Sequence, residues 1–296
     1  MKCIFLPLIF SFLICSSFAQ TADQQATDFV AKGNALDAED KIQLAIGMYS
    51  KAIQLNPNLA IAYLDRGNDF LSISRYPQAI ADYDKVLSLA PESNEAYNMR
   101  GIANYRLEKY DQAMADYNKA VTFGNFDAMI NRGVLYMELE KNDLAKSDFN
   151  KAISLQPARA GDAYFNLSDI LLKEQRYDEA LTNIEKAIAL RPNSALYQSL
   201  YTSTLLNLKR DNDGLAAAEK ILTLDPKNRD GFIYKTTALS NLKRFDEAIK
   251  TITTGIDAYP DFYLMYGLRG FVYKLMGRTD LAEADNAKAK QLGGTN

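Results

Sequence analysis

The chain has no histidine and no tryptophan, and its only cysteines are Cys3 and Cys15. Without histidine there is no imidazole base, no imidazole metal ligand and no imidazole pH switch. Loss of the N-terminal segment that holds both cysteines would leave no thiol, hence no disulfide and no thiolate metal site. Basic residues are not in excess: 34 Lys and Arg stand against 37 Asp and Glu, a net charge of -3. That balance offers no surface for a nucleic-acid backbone. No glycine-rich phosphate loop is present, nor any apolar run of about 20 residues that could span a bilayer. Carboxylate pairs such as Asp82 and Asp84 lie on helix faces open to water, an ordinary place for acids. The composition therefore implies no cofactor, no metal and no catalytic residue, and it argues against an enzyme.

The first residues have a recognisable order. Lys2 precedes an apolar stretch, Ile4 to Ile14, broken only by Pro7 and Ser11, and Ser17-Phe18-Ala19 follows. This is the pattern of a secretory signal peptide over residues 1–19, cleaved before Gln20. It implies an exported chain, in the periplasm or cell envelope or secreted, with no stable membrane insertion once the signal is gone. Two other readings compete. Cys15 could carry a lipid, although Ile14 stands where a lipoprotein signal wants a small residue. The segment could also be kept as an anchor. Residues 20–25 read as a polar leader.

Six of the eight prolines, Pro57, Pro91, Pro157, Pro192, Pro226 and Pro260, fall at intervals of 34, 66, 35, 34 and 34 residues. The interval of 66 is two periods with one proline missing. Such a period marks a repeat array, in which each unit contacts its neighbours and one solenoid can fill a long chain. Eight units result: 26–59, 60–93, 94–125, 126–160, 161–194, 195–228, 229–262 and 263–296. The fourth place of a unit is mostly large (Phe29, Tyr63, Tyr97, Tyr164) and the eighth small (Gly33, Gly67, Gly101, Gly133). The twentieth is small again (Ala45, Ala79, Ala113, Ala145) and the twenty-fourth bulky (Tyr49, Tyr83, Tyr117, Phe149). Small residues facing each other let two helices approach, and the large ones fill the flanks. Each proline stops a second helix. The unit is a helix, a short turn and an antiparallel helix.

This pattern resembles the tetratricopeptide repeat, and Ala79-Ile80-Ala81-Asp82-Tyr83-Asp84-Lys85 is very like that family. The resemblance implies an all-α fold, an α-solenoid wound as a right-handed superhelix of about eight helix pairs. The third unit departs from it, being two residues short and lacking its proline. The sixth is the weakest, with Gln198, Gly214 and Ala218 at key places. The last second helix is polar, carries Asn286 where an aromatic is usual, and reads as a cap stopped by Gly293-Gly294.

Arg recurs at the seventh place in four units (Arg66, Arg100, Arg132, Arg269), and Asp at the twenty-third place of the same four (Asp82, Asp116, Asp148, Asp285). The hairpin sets these places opposite each other, so the spacing predicts structural Arg–Asp pairs within a unit rather than an arginine ladder for an anionic ligand. Pairing with the preceding unit fits worse, because Arg66 would face Met48. Lys at the twenty-sixth place of seven units (Lys51, Lys85, Lys119, Lys151, Lys186, Lys220, Lys288) suits helix C-terminal ends rather than a polyanion.

In the family, first helices line a concave groove. Carried onto this chain, the groove places are Leu64, Asn68, Leu71, Asn98, Ile102, Tyr105, Arg106, Ile130, Val134, Met137, Phe165, Asp169, Leu172 and Lys173; any of these could instead pack on the next unit. A subset of the family clamps a C-terminal carboxylate with Lys and Asn, but Val30, Asp65 and Glu95 occupy those places here, so a partner of that type is not expected. The resemblance implies a scaffold or adaptor for a protein or peptide. A carrier or holdase for unfolded or lipidated clients is the alternative, and a hydrolase or transferase a remoter one.

Overall fold

The structure, a computed structural model, describes the backbone of residues 7–293 and side chains from Thr21 onward. The side chains of residues 1–19, on which the signal-peptide reading and Cys15 rest, lie outside the described residues, as does Gly294. Among the described residues the chain is helical throughout, with one 3₁₀ turn and no strand. It divides into two compact units, Met1–Lys141 and Asn142–Asn296.

Unit 1 contains α1 (Pro7–Ala38), α2 (Ile42–Leu55), α3 (Ala60–Ser72), α4 (Tyr76–Leu89), α5 (Asn94–Arg106), α6 (Tyr110–Thr122) and α7 (Phe126–Glu138). The odd-numbered helices α3, α5 and α7 start on the first residue of a repeat. The leader is not separate from the fold: residues 20–25 contain no glycine or proline and continue α1, where Asn56 Nδ2 donates to Asp23 Oδ1 at 2.8 Å. Ala26 and Val30 are buried beneath it.

Close approach within each hairpin follows from the glycines. A Cβ added to Gly67 would lie 2.8 Å from the Tyr83 ring, and one on Gly101 2.6 Å from Tyr117. Both tyrosines are fully buried, so the space a larger residue would need is already filled. Between the two helices the chain turns through one left-handed residue at the fifteenth place: Asp40, Ser74, Glu108 and Glu140 in unit 1. Arg75 N–H donates to Phe70 C=O at 2.7 Å and Ser74 N–H to Leu71 C=O at 3.0 Å, the paired bonds of a Schellman stop. The short third repeat uses the same device for its exit. Gly124 (φ +83) replaces the proline loop, and Asn125 then caps α7 by accepting from Ala128 N–H at 2.8 Å.

The left-handed turn is a place to improve the fold. Glu108 is exposed with φ 58, a conformation costing about 1 kcal/mol for a residue with a Cβ. Glu108→Gly is expected to raise the unfolding free energy by about 0.5 kcal/mol after the added unfolded-state entropy. Glu108→Val is expected to lower it by about 1 kcal/mol. Urea denaturation of the two variants checks both signs.

Unit 2 contains α8 (Asn142–Leu155), a 3₁₀ turn at Pro157–Arg159, α9 (Gly161–Lys173), α10 (Tyr177–Leu190), α11 (Ala195–Asn207), α12 (Asp211–Leu224), α13 (Arg229–Asn241), α14 (Phe245–Ala258), α15 (Tyr263–Leu275) and α16 (Thr279–Gln291). Here too α9, α11, α13 and α15 begin on the first residue of a repeat. The weak sixth repeat is well packed. Leu206 lies where a Cβ on Gly214 would come within 2.8 Å, so glycine at that place makes room for a larger neighbour. Gln198, where an aromatic was expected, is buried and donates to Pro192 C=O at 3.3 Å. Leu205, Leu215 and Ile221 supply the apolar core there.

Candidate functional site

The arginine and aspartate series meet within repeats. Arg66 donates through Nε and Nη2 to the two oxygens of Asp82 at 2.8 and 2.7 Å, so Asp82 is buried against its partner, not open to water as Asp84 is. Arg269 does the same with Asp285 at 2.8 Å on both arms. Arg100 reaches Asp116 at 3.0 Å through Nε and 2.6 Å through Nη2. Arg132 belongs to unit 1 and Asp148 to unit 2; Arg132 donates to Asn118 Oδ1 at 2.8 Å, and Asp148 is buried.

Each guanidinium also has a second leg that the spacing argument set aside. Its Nη1 reaches the twenty-fifth place of the preceding repeat: Ser50 from Arg66 (3.0 Å), Asp84 from Arg100 (2.5 Å), Asn118 from Arg132 and Thr253 from Arg269 (3.2 Å). Lys235, standing where the arginine is missing, pairs with Glu219 at the same place, 2.9 Å away. The aspartate at the twenty-third place marks only the first leg; the second ends on a polar acceptor two residues on, whose type varies from repeat to repeat. Arg66, Arg100 and Arg269 thus join both the helices of one repeat and one repeat to the next. For Arg100, burial alone would lower the pKa, but the hydrogen bonds it donates to Asp116 and Asp84 outweigh it and hold the group charged.

The groove places of unit 1 fall into two sets. Leu64, Asn98 and Ile130, all at the fifth place, are buried between neighbouring helices; Asn98 Oδ1 accepts from Asn131 Nδ2 at 2.9 Å. Asn68 Oδ1 is taken by the Tyr83 hydroxyl at 2.8 Å. These four are packing residues. Leu71, Ile102, Tyr105, Val134 and Met137 are partly open, and Arg106 is exposed. Tyr105 stacks obliquely on Tyr110, with ring centres 5.7 Å apart. In unit 2, Phe165 packs on Tyr197, ring centres 5.2 Å apart. Asp169 pairs with Lys173 at 2.8 Å, and Leu172 is half-buried. On α15 the same helix face presents Leu264, Phe271 and Leu275 to solvent, each about half exposed.

One cluster in unit 1 escaped the sequence reading. Asp69 of α3 is 4% exposed, and neither its Oδ2 nor that of Asp65, one turn earlier, has a hydrogen-bond partner. Burial first, then the Asp37 charge and a hydrogen bond to Asp37 that only the protonated form can make, push Asp69 up to about 7. Burial, with Glu95 and Asp37, pushes Asp65 up to about 6. The signal was present in the repeats: the tenth place is apolar in most of them (Ala103, Leu135, Ile170, Ala238, Val272), and all five are buried.

Among the described residues no group of acids, cysteines or histidines is arranged to hold a metal ion, and no helix is long and apolar enough to cross a membrane.

No curated protein matches the chain. Among solved structures, the Cut9–Hcn1 hetero-tetramer of the APC/C is similar over 90% of this chain at 14% identity and a TM-score of 0.62, although the chain spans only 53% of that one. PilF of Pseudomonas aeruginosa is similar over 73% of this chain and 98% of its own, at 17% identity and a TM-score of 0.64. A tetratricopeptide repeat protein from Parabacteroides merdae covers 80% and is itself covered over 94%, at 16% identity and a TM-score of 0.59. At these identities the likeness shows the fold alone, an all-α helical-repeat solenoid. The profile of the tetratricopeptide repeat family matches residues 64–128 and 130–195, so these residues carry tetratricopeptide repeats, and the helices on either side keep the same phase.

Proposed function

We propose that the protein is an exported, non-catalytic adaptor that holds a protein or peptide against the first-helix face of its repeats. The observation that carries this reading is the partly open apolar set Leu71, Ile102, Tyr105, Val134 and Met137 on α3, α5 and α7, a surface suited to an extended or amphipathic segment. Export rests on the order of residues 1–19, with cleavage before Gln20; the mass of the mature protein tests it and tells a lipid on Cys15 from a free N-terminus.

In-cell crosslinking and capture tests the groove. Ile102→Glu with Val134→Glu is expected to reduce recovery of a dominant partner by about tenfold, the effect of setting charges against an apolar contact. Circular dichroism must first show an unchanged helical signal. Equal recovery by wild type and variant would move binding off the groove. Many weakly held clients in place of one partner would favour a holdase.

A further inference from the structure

The sixth repeat breaks the cation pattern, and the break leaves a space. Its seventh place is Tyr201 and its twenty-third Ala217, where the third repeat has Arg100 and Asp116. The twenty-fifth place of the repeat before it, where an arginine's second leg would end, is Glu185. In the third repeat Arg100 bridges Asp116 and Asp84 as one wall of a cleft of about 320 Å³. In the sixth, the cleft at the same places grows to about 400 Å³, lined by Glu185 of α10, Tyr201 of α11, and Asp213, Ala216, Ala217 and Lys220 of α12. That is the size of a small-ligand site, about 300–1,000 Å³. Elsewhere in unit 2 the seventh place is taken up: Leu167 is buried in the fifth repeat, and Lys235 of the seventh reaches its acceptor, Glu219. Among the described residues Glu185 has no hydrogen-bond or ion-pair partner, whereas Asp213 is held by Arg210 at 2.8 Å. Tyr201 is half-open, and burial, then the Glu185 charge, raise its hydroxyl pKa.

We infer that this cleft receives an arginine side chain of a partner polypeptide, its guanidinium standing where the repeat's own is missing and bonding to Glu185. The repeats themselves supply the template, since Arg66, Arg100 and Arg269 all carry a guanidinium from the seventh place to the twenty-fifth of the repeat before. Glu185 offers two carboxylate oxygens to a planar fork of donors. Tyr201 offers a π face, and Ala216 and Ala217 offer a small apolar bed for the stem. Lys220 does not oppose the cation: Lys119 and Lys288 hold its place in the repeats of Arg100 and Arg269. Glu185 is the one carboxylate of the cleft without a partner, so the ammonium of a free amino acid would find no acceptor. A side chain on a polypeptide brings no such group. The cleft lies mainly on the second helices α10 and α12, outside the first-helix groove, and does not depend on the adaptor reading.

The test uses the full chain and a fluorescein-labelled decapeptide with one central arginine among alanine and serine, followed by anisotropy in low salt because Glu185 is exposed. Its citrulline counterpart, equal in shape but neutral, is expected to bind about fivefold more weakly, the loss of one charged hydrogen bond at the lip of a cleft. Glu185→Gln is expected to remove that difference. Tyr201→Arg with Ala217→Asp is expected to remove it too, by restoring the internal pair and filling the cleft, with the helical circular dichroism signal unchanged. Asp257→Asn, an exposed acid on α14, leaves the difference intact. Equal affinity for the two peptides in wild type overturns the cleft as a guanidinium site, and so does an equal loss in the Asp257 variant. Agmatine competing as well as the peptide would overturn the polypeptide part. If the Ile102/Val134 variant loses the arginine peptide while the Glu185 variant keeps it, the peptide lies in the groove and the cleft proposal falls.

Discussion

Asp116→Ala lowers the unfolding free energy by about 3 kcal/mol, the largest stability loss expected of a single truncation among the Arg–Asp pairs. Asp116 is 4% exposed and accepts from Arg100 and from Asn104 Nδ2, the latter at 3.1 Å. Its removal leaves a guanidinium that is about three-quarters buried with only the exposed Asp84 as partner. It also leaves the buried Asn104 amide without its acceptor. Asp84→Ala, by contrast, removes a carboxylate that is 56% exposed, and the loss there stays under about 1 kcal/mol. Asp285→Ala is intermediate, because no asparagine shares that carboxylate. Replacing both members by Arg100→Met and Asp116→Leu recovers most of the loss, since the cost lies in the unpaired charge and not in the absent pair. Urea denaturation followed by circular dichroism measures the series. If Asp116→Ala and Asp84→Ala cost the same, burial is not what sets the strength of these pairs.

The hairpins were readable because their determinants are local and repeated. Proline, the small eighth and twentieth places and the bulky twenty-fourth recur at one spacing, and Gly67 against Tyr83 shows the contact this produces. The Arg66–Asp82 pair was readable for the same reason. What was hidden depends on the join between repeats. The second leg of each arginine ends on Ser, Asp, Asn or Thr, a set united by hydrogen-bonding capacity and not by residue type. The fifth-place residues Leu64 and Asn98 are covered by the first helix of the next repeat, which a groove pattern carried over from the family does not specify. The acids at 65 and 69 were hidden for a different reason. An Asp beside Asp65, Arg66 and Asn68 on one helix is unremarked until the neighbouring helix is seen to cover it. Only comparison of the tenth place across the repeats would have singled out Asp69.

Asp69→Asn stabilises the protein, and the gain grows with pH. In the unfolded chain Asp69 titrates near 3.8, whereas in the folded chain it is pushed up to about 7. Between these values the folded state holds a proton that the unfolded state has lost, so unfolding free energy falls as pH rises through that window. The penalty is absent below the lower value and complete above the upper one. Converted in full, the displacement is about 4 kcal/mol; burial is its first cause, and with water screening the contribution of the exposed Asp37 the expected effect is about 1–2 kcal/mol. Asparagine at this position keeps the shape and has no charge to strand, so the variant and wild type should unfold alike near about pH 4 and differ by about 1–2 kcal/mol near about pH 8. A difference that does not change with pH would mean that the buried carboxyl is already satisfied in the fold. A difference that grows as expected shows a residue the fold would be more stable without.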